Sequence, residues 1–293
     1  MCRYRYLKGL KTTLTIFCMW ALSATAVRAQ EAHTMLWKIS APHLLKPSYL
    51  LGTMHLICGE DFEISSKLRK TLKEVRTVTF EADIANVEGS EKLMELMQPV
   101  PGILKQAQPG QRAALDSLLK EYQLTSGVLD QLSPFALTSV LTAKAFNCAD
   151  PSKVKMMEKE LYALAQEDTL RIDHLESVAF QINMIRSMNT IDELINTLRE
   201  IKEAPYYIKD LVQVYKTEDL PQLNKLMHDP KFMNTVQQTR LLKERNKNWV
   251  QLLPAKMKKN PTLFAVGAGH LGGADGLIRL LQNNGYTVTP VFE

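Results

Sequence analysis

Two segments near opposite ends of this chain share one pattern. Each is an apolar run that ends in Gly-x-x-His-Leu, at Leu50–Leu56 and at Ala265–Leu271. Such a run is typical of a buried strand, and a glycine at its end permits a sharp turn. The histidine that follows, His55 or His270, then lies at the carboxyl end of a strand, where open α/β sheets place their ligands. We therefore predict one shared site, either a metal site or an acid/base pair.

The first 29 residues have the pattern of a secretory signal. A basic segment, Arg3–Lys11, precedes an apolar segment, Leu14–Ala26, and residues 27–29 resemble a cleavage site. The apolar segment is short for a membrane span, so cleavage is favoured over an uncleaved anchor. The protein is expected to be exported to the periplasm or the exterior, with envelope association if the segment is retained.

The positive charge of the chain comes from this segment. The sequence has 36 Lys and Arg against 31 Asp and Glu, a formal net charge of +5, and all of the excess lies before residue 30. The mature chain is therefore near neutral and has no basic block, which argues against nucleic acid as a partner.

Cys58 and Cys148 are the cysteines that remain in the mature chain. An oxidising exterior permits a disulfide between them, although sequence does not show that their backbones meet. Cys58 follows His55 by three residues, so a metal ligand is conceivable. A buried or bridged cysteine is favoured, since such pairs occur at unconstrained spacing.

Strand-like runs alternate with helical segments along residues 30–293, which are expected to form a single domain. The runs are Met35–Ile39, Tyr49–Gly52, Val75–Glu81, Leu170–Asp173, Leu263–Gly267 and Tyr286–Phe292. This alternation predicts an α/β fold with a mixed, partly parallel central sheet flanked by helices.

Two long helical regions interrupt the strands, at about residues 88–168 and 176–259. The first is expected to form an inserted α-helical lobe over one end of the sheet. Its predicted helices are Gln111–Tyr122, Pro134–Phe146 and Val154–Gln166. The second region is expected to break near Pro205, Pro221 and Pro230. A last helix is predicted at Ala274–Asn283, with Gly285 at its C-cap.

Polar side chains follow the ends of four of these strands. His55 follows the second, Glu81 ends the third, Glu176 follows the fourth and His270 follows the fifth. If the strands are parallel neighbours, these side chains lie along one edge of the sheet. Two imidazoles with one or two carboxylates are a normal ligand set for a hydrolytic metal site, where a carboxylate is a ligand or the base that activates water.

Each of these residues also has a structural interpretation. One Gly-x-x-His match is a weak signal, but two after apolar strands favour a shared site over two structural histidines. A carboxylate such as Glu81 at a strand end is often a helix cap or an ion-pair partner, and Glu176 at a helix start favours the helix dipole. His174 is better explained as a solvated histidine than as a ligand.

Arg245 and Asn246 lie in a long helical run, with Trp249 one turn beyond Arg245. A buried guanidinium needs an acidic partner, which Glu81 or Glu176 could supply. A surface arginine on a charged helix is an equally good interpretation. The sequence contains neither a His-Glu-x-x-His helix nor a Gly-x-Ser-x-Gly elbow, which disfavours an ordinary zincin or α/β-hydrolase.

With these residues in place, nearly the whole mature chain resembles the TraB/GumN family, which includes the Tiki-type proteases. The segments that carry the resemblance are Leu36–Lys38, Pro47–Leu56, Phe80–Asp83, Leu132–Ala136, His174–Ser177 with Gln181, Glu244–Asn246 and Val266–Leu271. The family's Lys-Pro-Trp segment departs here, since Ser133 and Phe135 replace its Lys and Trp.

The resemblance implies an α/β fold similar to the erythromycin-esterase superfamily. Its Tiki branch implies metal-dependent proteolysis by two histidines and a glutamate, matched here by His55, His270 and Glu81, with a divalent ion such as Mn, Co or Zn. Other branches, associated with pheromone shutdown or polysaccharide production, leave the substrate open.

The resulting hypothesis is an exported, divalent-metal-dependent hydrolase that cleaves a peptide or protein substrate. Arg245 and Asn246 are expected to orient a carboxylate or to stabilise an oxyanion, with Glu176 supporting them. One alternative is a metal-free esterase-like hydrolase, with a histidine as base and Glu81 orienting it. The other is a non-catalytic envelope protein that binds a peptide or a glycan.

Overall fold

A computed structural model describes residues 33–83, 87–187 and 190–292, so the predicted signal segment lies outside the described residues. Within them, six strands form one sheet and eleven α-helices accompany it. The strands are β1 Leu36–Ser40, β2 Ser48–Thr53, β3 Thr77–Phe80, β4 Arg171–His174, β5 Thr262–Gly267 and β6 Thr287–Pro290. The helices are α1 Ser66–Glu74, α2 Val87–Met97, α3 Pro109–Lys120, α4 Pro134–Ala145, α5 Met157–Glu167, α6 Val178–Ser187, α7 Ile191–Lys216, α8 Leu220–Met227, α9 Thr235–Gln238, α10 Glu244–Lys259 and α11 Leu277–Asn283.

The sheet is mixed, with the strand order β4-β3-β5-β2-β1-β6. Strands β4, β3, β5 and β2 are parallel neighbours, whereas β1 pairs antiparallel with both β2 and β6. The carboxyl ends of the four parallel strands therefore lie along one edge of the sheet. The predicted α/β class and partly parallel sheet are confirmed, and each of the six predicted strands is present with small shifts at its ends.

Two apolar cores cover the two faces of the sheet, because successive residues of a strand point to opposite faces. Leu50 packs with Trp37 and Phe264 in a core that includes α8, α10 and α11. Leu51 packs with Val78 on the other face, against α1 and α5. All residues of β2 and β5 are buried, as expected for parallel strands that have helices on both sides.

Close packing explains the two glycines of the repeated pattern. Neither Gly52 nor Gly267 has a positive φ, so neither needs the backbone freedom of glycine to turn. A Cβ atom on Gly52 would instead lie 2.7 Å from the Cδ1 atom of Leu271. One on Gly267, which is opposite Thr53 in the neighbouring strand, would lie 3.3 Å from His55 Nε2. The two Gly-x-x-His segments therefore pack directly against each other.

A third apolar core lies in the helical lobe, which comprises α2, α3, α4 and residues 191–201 of α7. Leu115, Leu137 and Leu198 are among its buried members. The three helices predicted in the insertion correspond to α3, α4 and α5, but α5 packs on the sheet through Met157 and Leu161. The lobe is completed by α7, a helix from the second predicted helical region.

The predicted helix break at Pro205 is wrong, because α7 continues from Ile191 to Lys216 with Pro205 inside it. A proline inside a helix costs about 3 kcal/mol. Pro205 is exposed, and the helix is buried on both sides of it, through Leu198 in the lobe and Tyr215 against the sheet cores. Packing over this length outweighs the local cost.

The other predicted helix ends fit better. Pro221 lies in the first turn of α8, and Pro230 lies between α8 and α9. The last helix, α11, begins at Leu277 rather than at Ala274, and Gly285 follows it with a φ of +83°, as predicted for a glycine C-cap.

Cys58 and Cys148 form a disulfide that connects the segment after β2 to the segment after α4. The bond excludes the metal-ligand interpretation of Cys58 and is consistent with export to an oxidising compartment. As for membrane spans, none of the helices in the described part of the chain is both long and apolar enough to cross a bilayer.

Candidate functional site

The carboxyl edge of the parallel strands brings three of the predicted residues to one point. His55 follows β2, Glu81 follows β3 and His270 follows β5. An atom at the Cβ position of Gly267 would lie 3.3 Å from His55 Nε2, 3.4 Å from Glu81 Oε1 and 3.6 Å from His270 Cδ2. Side chains from three distant parts of the chain therefore surround the end of β5, at the edge where the sequence predicted them.

Glu81 is buried, and both of its carboxylate oxygens accept hydrogen bonds. Oε1 accepts from the backbone N–H of Gly267 at 2.7 Å, and Oε2 accepts from Arg245 Nη2 at 2.5 Å. Burial raises the pKa of Glu81, but the surrounding His270, Arg245 and His55 side chains lower it to about 2. At pH 7 His270 is neutral, so the positive charges that stabilise the Glu81 carboxylate are those of Arg245 and His55. Glu81 is therefore a carboxylate at neutral pH.

Arg245 joins two carboxylates in the interior. Its side chain is 7% exposed, and Nε and Nη2 donate to Glu176 at 3.0 and 2.9 Å, while Nη2 also donates to Glu81. The interpretation of Arg245 as a surface residue is therefore wrong, and both of its predicted acidic partners are present. A π-helical turn, Thr239–Lys243, immediately precedes α10, and the carbonyl of Leu241 in this turn accepts from Arg245 Nη1 at 3.1 Å.

Trp249 completes this side of the site. Its ring lies 4.5 Å from Arg245 Cζ, and its Nε1 donates to Glu176 Oε1 at 2.9 Å. The predicted placement of Trp249 and Arg245 on one helix face is confirmed. Glu176 is therefore held by two side chains of α10, and Gln181 Nε2 also donates to its Oε2 at 3.4 Å.

His270 is buried, and Asn246 determines which of its nitrogens carries a proton. Asn246 Nδ2 donates to the carbonyls of His270 and Asp275, so Asn246 Oδ1, 2.6 Å from His270 Nδ1, accepts from an Nδ1–H. The lone pair is then on Nε2, which lies 3.3 Å from Arg245 Nη1 and 3.7 Å from Glu81 Oε1. Burial lowers the pKa of His270 to about 3, despite the nearby Glu81, so the ring is neutral at pH 7.

His55 differs from His270 because its side chain is 65% exposed. Its Nδ1 lies 2.7 Å from Glu158 Oε1, which also accepts from Thr53 Oγ1 at 2.6 Å. Loss of solvent in the site lowers the pKa of His55, but the charge and hydrogen bond of Glu158 raise it to about 9. Glu158 was not predicted, because it is an ordinary acidic residue in the first turn of a helix and follows no strand.

His174 is not part of this group. Its side chain is half-buried rather than solvated, and its Nε2 lies 3.6 Å from Asp83 Oδ1. No His174 atom is among the three heavy atoms nearest to the Cβ position of Gly267.

The donor atoms around Gly267 are of the types that bind a divalent ion: two imidazole nitrogens and a carboxylate oxygen. Each imidazole is held through Nδ1 by an oxygen atom, from Glu158 or from Asn246, as is usual for metal-binding histidines. The residues present therefore fit a divalent metal in the chemistry of their donor atoms. In the described residues, however, no three His, Cys, Asp or Glu side chains are grouped at metal-binding separation.

Comparison with known proteins identifies the family. A model of the TraB/PrgY/gumN family matches residues 35–290, a range that includes every described strand and both Gly-x-x-His segments. Searches of curated proteins and of solved structures found no match. The family resemblance predicted from the motifs is confirmed: the chain belongs to the TraB/PrgY/gumN family.

Proposed function

We propose that this protein is an exported, divalent-metal-dependent hydrolase that cleaves peptide bonds in a peptide or protein substrate. One observation carries the proposal. His55, Glu81 and His270 lie around Gly267. The Nδ1 atom of each imidazole is within hydrogen-bond distance of an oxygen atom, from Glu158 for His55 and from Asn246 for His270. The disulfide is consistent with the exported location.

His55 and His270 would hold the ion through their Nε2 atoms, with Glu81 as a third ligand or as the general base. Charge supports a cation here, since three carboxylates, Glu81, Glu176 and Glu158, face two positive charges, Arg245 and protonated His55, while His270 is neutral. His55 would release its proton when the ion binds. To become a ligand, His270 Nε2 would have to leave its contact with Arg245 Nη1. We expect Mn, Co or Zn.

The chemistry that a divalent ion supplies in such a site is polarisation of the scissile carbonyl and activation of water. The protein supplies orientation. Asn246 keeps the proton of His270 on Nδ1, so that Nε2 faces the site. Arg245 and the N–H of Gly267 hold the Glu81 carboxylate, which accepts a proton from the attacking water if Glu81 is the base. Of the two roles expected for Arg245, orienting a carboxylate is the better supported.

A metal-free hydrolase is the second candidate, and one contact favours it. His55 and Glu158, 2.7 Å apart, have the geometry of a base and its orienting carboxylate. In that case the deprotonated form of His55, whose pKa is raised to about 9, would activate the nucleophile without an ion.

Metal analysis of the purified protein separates these candidates. We expect about one divalent ion per chain in the wild type, and loss of the ion in His55→Ala and His270→Ala. His33→Ala is a matched control, because His33 is 60% exposed and lies outside the site. Glu81→Gln distinguishes a ligand, which loses the ion, from a base, which keeps the ion and loses peptidase activity. A wild type that is active without any metal would refute the metal-dependent proposal. Bound metal without activity on any peptide library would instead favour the envelope binding protein.

A further inference from the structure

We infer that Glu158, in the helical insertion, is the positioning residue for His55: it holds Nδ1 of the imidazole and thereby directs Nε2 toward Glu81 and Gly267. This inference rests on the proposed function, since it assigns a role within the same site. The insertion thereby contributes a side chain to a site that is otherwise built from strand ends and α10.

Packing alone does not orient His55. The residue lies beyond the last residue of β2, and its side chain is 65% exposed, so its rotamers are not restricted by a surrounding core. Glu158 supplies the restriction. Its Oε1 lies 2.7 Å from His55 Nδ1 and 2.6 Å from the hydroxyl of Thr53, the last residue of β2. One carboxylate oxygen therefore connects the ring to the end of the strand.

Backbone hydrogen bonds fix the position of Glu158 relative to His55. Ile57, two residues after His55, exchanges backbone hydrogen bonds of 3.0 and 2.8 Å with Lys155, three residues before Glu158. The Cys58–Cys148 disulfide connects the same two segments. A small antiparallel bridge thus places the start of α5 beside the segment that carries His55.

A second connection lies on the other side of Glu158. The hydroxyl of Tyr215 donates to the carbonyl of Gly52 at 3.0 Å and contacts the sulfur of Met157 at 3.0 Å. Tyr215 therefore ties the end of β2 to the first residue of α5, so the position of Glu158 relative to His55 is defined by contacts on both sides.

The burial of Glu158 is difficult to explain by stability alone. Its side chain is 14% exposed, and Oε2 is buried with no hydrogen-bond partner in the described residues. A buried carboxylate oxygen without a donor lowers the stability of the folded state. Buried polar atoms without hydrogen-bond partners are expected mainly at functional sites.

The test uses Glu158→Ala, which removes the carboxylate, and Glu158→Gln, which keeps an oxygen able to accept from Nδ1–H. Glu160→Ala is the matched control, because Glu160 is in the same helical turn but pairs with Lys155 at 2.8 Å. Two quantities are measured: the NMR order parameter of the His55 ring in metal-free protein, and the affinity for Co²⁺. Thr53→Val, which removes the other donor to Glu158, is a further variant if Glu158→Ala does not fold.

We expect Glu158→Ala to mobilise the His55 ring, leave the His270 ring unchanged and weaken Co²⁺ binding by about 10- to 100-fold. Glu158→Gln should keep part of the ring order and part of the Co²⁺ affinity. Thr53→Val should show smaller losses of both, and Glu160→Ala should match the wild type. If the ring order and the Co²⁺ affinity of Glu158→Ala equal those of the wild type, the inference is overturned.

The remaining outcomes separate this inference from the proposed function. Loss of all metal from Glu158→Ala, as complete as in His55→Ala, would make Glu158 a ligand and would also overturn the positioning role. A wild type that binds no metal would refute the proposed function, and the ring order parameter would still decide the inference.

Discussion

Arg245 determines the charge balance of the site. It is the cation shared by two buried carboxylates, Glu81 and Glu176, and its guanidinium also lies over the ring of Trp249. Removing one partner of a buried ion pair leaves an uncompensated charge in the interior. This destabilises the folded state more than replacing the whole pair with apolar residues does.

We predict that Arg245→Met lowers the free energy of unfolding at pH 7 by about 3–5 kcal/mol. The loss should be smaller at pH 4, because in the variant the buried Glu81 carboxylate lacks the guanidinium that lowers its pKa and takes up a proton more readily. Urea unfolding at the two pH values measures both effects. Arg240→Met is the control, since Arg240 is exposed in the preceding helical turn. Equal destabilisation by the two variants would contradict the assignment.

Single residues differ in how far their roles could be predicted. Glu81 and Glu176 were identified from their position after strands, and they were named as partners of Arg245, because strand ends in a parallel sheet share an edge. The contact of Asn246 with His270 was not predicted. Neither was Glu158, since nothing in its neighbourhood along the chain differs from an ordinary helix start.

At the scale of elements, α7 contains an acidic residue whose ionisation opposes folding. Burial and the charge of Glu193 raise the pKa of Glu200 to about 7, against a smaller opposing effect of Gln237. A carboxyl group with a raised pKa in the folded state stabilises that state only while it is protonated. Its contribution is therefore present below about pH 4.5 and is lost as the pH rises through 7.

We predict that Glu200→Gln removes this fall in stability and makes the protein more stable than the wild type at pH 8, by about 1–2 kcal/mol after allowance for solvent screening. Thermal unfolding between pH 4.5 and pH 8 measures the effect. Asp210→Asn, an exposed change on the same helix, should leave the pH dependence of the wild type intact. If the stability of Glu200→Gln fell with rising pH as much as that of the wild type, the fall would not be due to Glu200.

The disulfide is the second feature that belongs to this scale. It links segments 90 residues apart and so restricts the unfolded chain strongly. We predict that the Cys58→Ala, Cys148→Ala double variant is less stable by about 2–4 kcal/mol. Adding dithiothreitol should lower the unfolding temperature of the wild type toward that of the variant. A dithiothreitol effect of the same size in the variant would show that the disulfide is not its cause.

At the scale of the whole molecule, the described residues form two cores on the sheet and a third in the helical lobe, and α7 extends from one region to the other. Regions with separate cores often open separately. We predict that Leu198→Ala, at a fully buried position in the lobe, costs about 2–5 kcal/mol and speeds hydrogen exchange in α3 and α4 more than in β2 and β5.

Leu50→Ala is the matched change in a sheet core, because Leu50 is also fully buried. It should speed exchange in β2 and β5. Uniform acceleration throughout the molecule in both variants would show that lobe and sheet unfold as one cooperative unit.

The sequence by itself determined the strands, the α/β class, the family and the edge of the sheet where the histidines lie, because apolar runs and the residues that follow them are local features. The tertiary structure decided the rest. It continued α7 through Pro205, paired Cys58 with Cys148, buried Arg245 between two carboxylates and placed Glu158 against His55. Each of these depends on contacts between parts of the chain that are far apart in sequence, and local patterns do not decide between such contacts and their alternatives.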